Sequence, residues 1–327
     1  MKITIRSFED ADFPALAELR NANFPENPVT AETLRFQWES LDPAKFYRER
    51  HVAVDPSTGR LVATTSFSHN VEMFHSDKYE CGIGVHPDYQ RRGIGAQLWE
   101  LLYERLRARG AILARGGVWE KYPYSVAFAE RLGFREKRRS WQSILEVESV
   151  NLQEYAHRWE RVREQGIVLT TLAEEQQRDP ECLRKLYVLS NTLLRHTPLP
   201  DVPTDPPYEM FLRWTVENPK SIPEALFIAR DGDRYVGLSH LGKSDETDAL
   251  NQWFTGTDPD YMGRGIAWAL KLNTVKFAQE HGYKRIKTWN DTENQRMLSI
   301  NLRLGYQPQP AWITMEKDLV EPGSDER

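Results

Sequence analysis

Cysteine is nearly absent from this 327-residue chain: Cys81 and Cys182 stand far apart with no C-x-x-C spacing, which excludes a disulfide framework and a thiolate zinc site. Both read as small buried hydrophobes. The eight histidines show no H-E-x-x-H or comparable spacing, so no metal is expected. No apolar run approaches the roughly 18 residues of a membrane span. Arg6, Glu9 and Asp10 break the opening stretch before a signal-peptide core can form, so a cytoplasmic chain without membrane contact is expected. Charge of one sign is lacking too. Lys and Arg number 43 against 48 Asp and Glu, and the halves divided at residue 150 hold 21 against 21 and 22 against 27. Neither half is basic, and nucleic acid is not expected as a partner.

What is present is a large apolar content, 40% of residues, with 10 Trp, 13 Tyr and 13 Phe, enough to bury a sizeable core. At about 150 residues per domain the length suggests two domains. A repeat supports this. Residues 84 to 98, GVHPDYQRRGIGAQL, align without gaps with residues 256 to 270, GTDPDYMGRGIAWAL, and 8 of 15 positions are identical. Further on, Arg131-Leu132-Gly133-Phe134 matches Arg303-Leu304-Gly305-Tyr306. Two copies of one domain are expected, over 1–150 and 166–320, with a linker helix over 151–165 ended by Gly166 and a frayed tail over 321–327.

Each copy reads in the same order. Short β-rich openings at 3–5 and 167–169 precede helical patterns at 13–20 and 182–194, then a second amphipathic stretch at 31–39 and 208–216. Two strands around a turn follow, 51–54 with 61–68 and 226–229 with 235–241, and then strand, Gly-rich turn, long helix, strand and helix. In the turn Gln90-Arg91-Arg92-Gly93-Ile94-Gly95-Ala96, glycines let backbone N–H groups converge and the helix N-terminus adds a favourable field, a shape suited to a pyrophosphate.

The Q-x-x-G-x-G/A turn, together with the Leu-Gly-Phe and Leu-Gly-Tyr runs, resembles the acetyl-coenzyme A signature and closing motif of the GNAT superfamily of N-acetyltransferases. The resemblance covers nearly the whole chain twice over and implies an α/β fold of two tandem GNAT-type domains, each a mixed, mainly antiparallel sheet flanked by helices. It implies acetyl-CoA as cosubstrate and an amine of a small molecule or peptide as acceptor. Carried over, Gln90, Arg91, Arg92, Gly93, Ile94, Gly95 and Ala96 hold the phosphates, and Ile83, Gly84 and Val85 line the thioester. The matching set in the second copy is Thr257, Arg264, Gly265, Ile266 and Ala267, with Asn294 at a position that often contacts the cofactor. The first copy has Tyr122 there.

The chain departs from the family pattern in three places. Met262 replaces the Gln of the turn and Ala267 its last Gly, and where many members carry a Tyr that protonates the leaving thiolate, Ala129 and Asn301 stand. For the general base, Glu80 and Glu120 are the candidates in the first copy; the counterpart of Glu80 is Gln252, which takes no proton. Either Glu also reads as an ordinary solvated or paired carboxylate. Asn290, Asp291 and Asn294 read as helix capping or as a polar pocket wall.

The residues favour chemistry in the first copy, whereas in tandem members of the family the C-terminal copy carries it. A non-catalytic acyl-CoA-binding or sensor protein is the competing reading. A more distant one is nucleotide binding at Gly237 to Ser244, GLSHLGKS, which matches a P-loop letter for letter, although acidic residues follow it and the repeat places it in a strand. The acceptor is expected under the segments Asn21 to Val29 and His196 to Pro207, the second stiffened by five prolines.

Overall fold

The computed structural model describes residues 2–320, so the expected tail over 321–327 lies outside it. In chain order the first copy forms β1 (Thr4–Ser7), α1 (Phe13–Asn23), α2 (Ala31–Glu39), β2 (Arg48–Val54), β3 (Leu61–Ser68), β4 (Lys78–Val85), α3 (Ile94–Ala108), β5 (Leu113–Trp119), α4 (Pro123–Arg131) and β6 (Arg135–Glu146). The second forms α5 (Ala156–Arg163), β7 (Val168–Thr171), α6 (Leu172–Arg178), α7 (Cys182–Arg195), α8 (Tyr208–Thr215), β8 (Ser221–Asp231), β9 (Arg234–Lys243), β10 (Ala249–Thr257), α9 (Ile266–Glu280), β11 (Arg285–Asp291), α10 (Gln295–Leu304) and β12 (Gln307–Asp318).

The chain forms two compact units, each with a mainly antiparallel sheet and helices on its faces, as the resemblance implies. In unit 1 the strand order is β1-β2-β3-β4-β5 closed by β12; in unit 2 it is β7-β8-β9-β10-β11 closed by β6. The closing strands are therefore exchanged between the copies. Trp312 to Asp318 pair antiparallel with Trp119 to Leu113, and Ser140 to Glu146 pair antiparallel with Asp291 to Arg285. Unit 1 thus holds the residues up to Arg138 together with those from Trp312 on, and unit 2 holds Arg139–Ala311, a division that differs from 1–150 and 166–320.

Alternating side chains send the sheet of unit 1 into cores on both of its faces. Val52 and Leu61 meet Phe13, Leu16 and Leu19 of α1, while Tyr79, Ala114, Ile313 and Met315 meet Trp99, Leu102 and Leu106 of α3. The α5 segment is more than a linker. Val162 is fully buried in the core of unit 2, and the Trp159 indole donates to Asn273 Oδ1 at 2.8 Å. The α-helix covers only Ala156–Arg163 of the expected 151–165, and the turn after it reaches Gly166, whose φ of +77° lets the chain reverse into β7. Helix α6 was not foreseen, although Thr171 and Glu174 form a capping box at its start. The P-loop reading fails. Gly237 lies inside β9, where a Cβ would stand 2.8 Å from Ile266 Cγ2, so this glycine serves the approach of α9 to the sheet.

The exchanged strand is clamped to unit 1 by Trp312, whose indole covers Gly117 so closely that a Cβ there would fall 2.0 Å from Nε1. Gly117→Ala must displace the indole, and we expect a loss of about 1–3 kcal/mol, as for overpacking, read from the urea midpoint. An unchanged midpoint would show that Trp312 does not fasten the strand.

Candidate functional site

Among the described residues each unit contains one parallel strand pair, and it parts partway along. In unit 1, β4 and β5 pair through Lys78↔Leu113, Tyr79↔Ala114 and Glu80↔Arg115 and then separate, while β4 stays paired to β3 as far as Val85. The edge of Ile83, Gly84 and Val85 facing β5 is left without ladder bonds. In unit 2 the pair ends at Gln252↔Thr288, with a bulge between Gln252 and Phe254. Gln252 sustains the bulge: its Nε2 donates to His240 O, Phe254 O and Ser239 Oγ at 3.0–3.1 Å.

Beyond the parting, the Gly-rich turn leads into a helix. Gly93 (φ +80°) and Gly265 (φ +89°) are the residues just before α3 and α9, and neither helix has a side-chain cap, so the first-turn N–H groups stay free for a ligand. Arg91 also adopts φ +61°, a conformation that costs a non-glycine residue roughly 1–2 kcal/mol; Gly263 relieves that cost in unit 2. In unit 1 Gln90 Nε2 donates to Val85 O at 3.0 Å and Arg92 Nη2 to Asp88 O at 2.7 Å, which tie the turn to its strand.

A cavity of about 390 Å³ follows the unit 1 turn, lined by Ile83, Gly84, Val85, Gln90, Arg91, Gly93, Ile94, Gly95 and Ala96, and by Asn23, Phe24, Tyr122 and Phe128. Arg92 is outside this lining, engaged with Asp88 and lying over the Tyr89 ring. A second cavity of about 150 Å³ opens between the parted strands and shares Phe24, Ile83, Tyr122, Ser125 and Phe128 with the first. A cavity at the turn of unit 2, about 710 Å³, is lined by Thr257, Gly265, Ile266, Ala267 and Asn294 of the expected set, and Arg264 is again outside it. Three cations that sequence reading missed also line it: Arg158 and Arg161 on α5, and Arg296. Two arginines three apart on a helix share a face, and that spacing was the available signal.

Glu80 closes the paired end of β4. Arg115 Nη1 lies 3.1 Å from its Oε1, and the same guanidinium holds Glu316 at 2.6 Å, so the three form a rung across β4, β5 and β12. Burial raises the Glu80 pKa, against the opposing pull of Arg115 and Asn70. Glu80 is in neither unit 1 cavity lining, and Glu120 is exposed on the turn after β5, likewise outside both. Asn294 both lines its cavity and caps α10, accepting from Met297 N at 3.2 Å. Asn301 is buried and turned to Asn290, donating to Oδ1 at 2.6 Å. On the acceptor side, Asn21 exchanges two hydrogen bonds with Val29 and sets the loop that carries Phe24 onto Trp119, Tyr122 and Trp312. In unit 2, His196, Thr197 and Pro198 of the proline-rich loop line the cavity.

The profile of the Acetyltransferase (GNAT) family matches residues 13–134 and again 184–306, so the chain belongs to that family and carries two copies of its domain in tandem. Among curated relatives, the mycothiol acetyltransferase of Thermobifida fusca is 23% identical over 274 residues, 79% of each chain, and that of Nocardia farcinica 29% identical over 237 residues, 68% of this chain and 69% of the other. The fold is shared with a tandem GNAT protein from the clavulanic acid biosynthesis pathway (TM-score 0.73, 15% identity, covering 98% of this chain and 100% of that one). It is shared too with a GCN5-related N-acetyltransferase from Sphaerobacter thermophilus (TM-score 0.69, 20% identity, 99% and 98%).

The interiors of the two copies differ. Trp99 packs edge-on against Phe134 in unit 1, and the repeat puts Lys271 and Tyr306 at those places in unit 2, with Lys271 Nζ 4.7 Å from the Tyr306 ring. Burial lowers the Lys271 pKa to about 7. Between pH 7 and about 10, the usual lysine value, the unfolded chain therefore binds more protons than the folded one, and stability should rise with pH across that window. Lys271→Met should raise stability at pH 7 and flatten that rise, measured by urea unfolding at pH 7 and 9; the same slope in the variant would assign it to other groups.

Proposed function

We propose that the protein is an acetyl-CoA-dependent N-acetyltransferase that acts on a primary amine of a small molecule or peptide. The observation that carries this reading is the combination of a parted parallel pair with a left-handed glycine at a helix start, which gives a free strand edge and free N–H groups at the two ends of one cavity. When bound, the cosubstrate supplies an activated acyl group. The N–H groups of Ile94, Gly95 and Ala96 would hold its pyrophosphate, with Arg91 adding charge, and the edge of Ile83 to Val85 would hold the thioester arm. In unit 2 Gly265, Ile266, Ala267, Asn294 and Thr257 take the corresponding places, and Arg158, Arg161 and Arg296 add cations. The names of the curated relatives support acetyl transfer.

Acylation of an amine requires loss of its proton, and a positioned acceptor for it contributes about 10²- to 10⁴-fold. We assign this role to Glu80 acting through water, because burial raises its proton affinity while Arg115 fixes its orientation. The Gln252 amide has its hydrogens committed to the bulge in unit 2. Glu120 is the weaker candidate, being exposed. The competing reading, acyl-CoA binding without turnover, draws on the missing phenol: Ala129 has no proton to give, and the Asn301 amide is engaged with Asn290.

Gly93→Pro replaces a residue at φ +80° with one locked near −65° and should lower acetyl-CoA affinity at unit 1 at least tenfold by calorimetry. Unchanged affinity there would remove the turn from the site. Glu80→Gln should reduce kcat about 10²-fold or more with little change in acetyl-CoA affinity, once an amine panel yields an acceptor. If instead Arg264→Ala or Asn294→Ala abolishes turnover and Glu80→Gln does not, unit 2 is the enzyme.

A further inference from the structure

We infer that the acyl donor of unit 1 is a CoA thioester whose acyl chain has about four to six carbons, with acetyl the shortest that the site holds. This rests on the reading of the unit 1 turn as a CoA site. The thioester end of the turn cavity, at Ile83 and Phe128, is also the mouth of the 150 Å³ cavity between β4 and β5. That inner cavity is walled by Leu102, Val118, Leu132, Phe134 and Met315, and an acetyl group leaves most of it unfilled. An enclosed apolar cavity of about 150 Å³ is large enough to hold a six-carbon hydrocarbon, and this chamber offers the same volume with mainly apolar side chains around an open mouth. Its one thiol, Cys81, has its pKa pushed up by burial and offers no charge to a polar acyl group.

The duplication provides an internal control. At the positions that keep this space open and apolar in unit 1, Leu102, Gly116 and Ala129, the repeat gives unit 2 Thr274, Thr288 and Asn301. Thr274 and Thr288 are buried and Asn301 bonds to Asn290, so polar side chains fill the corresponding region. Two copies of one fold have thus diverged where the acyl group would lie. Ala129 lines the chamber with a single methyl group, which leaves part of this room.

Each methylene moved from water into the chamber contributes about 0.8 kcal/mol, close to fourfold in affinity. We therefore expect calorimetry of the full chain to show butyryl- and hexanoyl-CoA binding at least tenfold tighter than acetyl-CoA, with no further gain at dodecanoyl-CoA. Ala129→Leu, which keeps the helix propensity and puts its added carbons at a buried position beside the chamber, should cut the hexanoyl-to-acetyl ratio at least fivefold, whereas Asn301→Leu at the matching place in unit 2 should not. Equal affinities for acetyl- and hexanoyl-CoA would overturn the inference and leave the CoA site standing. A preference lost in Asn301→Leu but kept in Ala129→Leu would overturn its placement in unit 1. Failure of every CoA thioester to bind would overturn the underlying reading instead.

Discussion

The parting of a parallel strand pair governs the rest of this structure. In unit 1 the last shared rung is Glu80↔Arg115, after which β4 has a strand partner on its β3 side alone and Gln90 Nε2 bonds Val85 O. Backbone N–H and C=O groups are rarely left unpaired away from water, so an unpaired strand edge beside a cavity is a standing demand for a polar, extended ligand. The rung itself is reinforced by charge: Arg115 is held between Glu80 and Glu316 and pins three strands just before two of them diverge. On the far side of the opening, Gly95 allows Phe128 to pack against the start of α3, since a Cβ there would lie 3.2 Å from the ring. The glycine pattern thus serves helix packing as well as the anion cradle.

The two copies meet this constraint with different chemistry. Unit 1 ends its pair on an ion pair and keeps an apolar interior; unit 2 ends on Gln252, introduces a bulge and fills the space with polar groups. The second solution carries a cost, because Tyr306 Oη and Asn301 Oδ1 are buried without a hydrogen-bond partner, and each such group costs about 1–3 kcal/mol. His240, also buried, has its pKa lowered to about 3 and is neutral at physiological pH. A duplicated domain that tolerates this expense in one copy while the other retains an inner cavity between its parted strands has separated the roles of its two interiors.

Much of this could be read from the sequence because the repeat preserved letters where the backbone is constrained. Gly93 and Gly265 occupy the same left-handed position, and Pro87-Asp88-Tyr89 and Pro259-Asp260-Tyr261 form the same short helical turn. The exchange of closing strands could not be read in this way. Alternation along β6 and β12 specifies which side faces a core, and it does not say which copy supplies that core. The pairing of Glu80 with Arg115 and Glu316 was hidden for a similar reason, since its members are 35 and 201 residues apart or on exchanged strands. Arg158 and Arg161 escaped notice because α5 reads as a connector until its buried Val162 places it in unit 2.

The departure at Met262 follows from that same helix. A turn that presents free N–H groups must be fixed from behind, and in unit 1 the Gln90 amide does so by bonding Val85 O. Methionine offers no comparable donor in unit 2. There α5 and the turn after it provide the support: Gln165 Nε2 donates to Arg264 O at 3.0 Å, Arg161 Nη2 reaches Gly263 O at 3.5 Å, and Val162 lies against Gly265. Loss of the glutamine from the second turn is therefore compensated from outside the motif. A family signature judged letter by letter would count that position as degenerate, whereas the hydrogen bonds show the same turn held by residues about a hundred positions earlier in the chain.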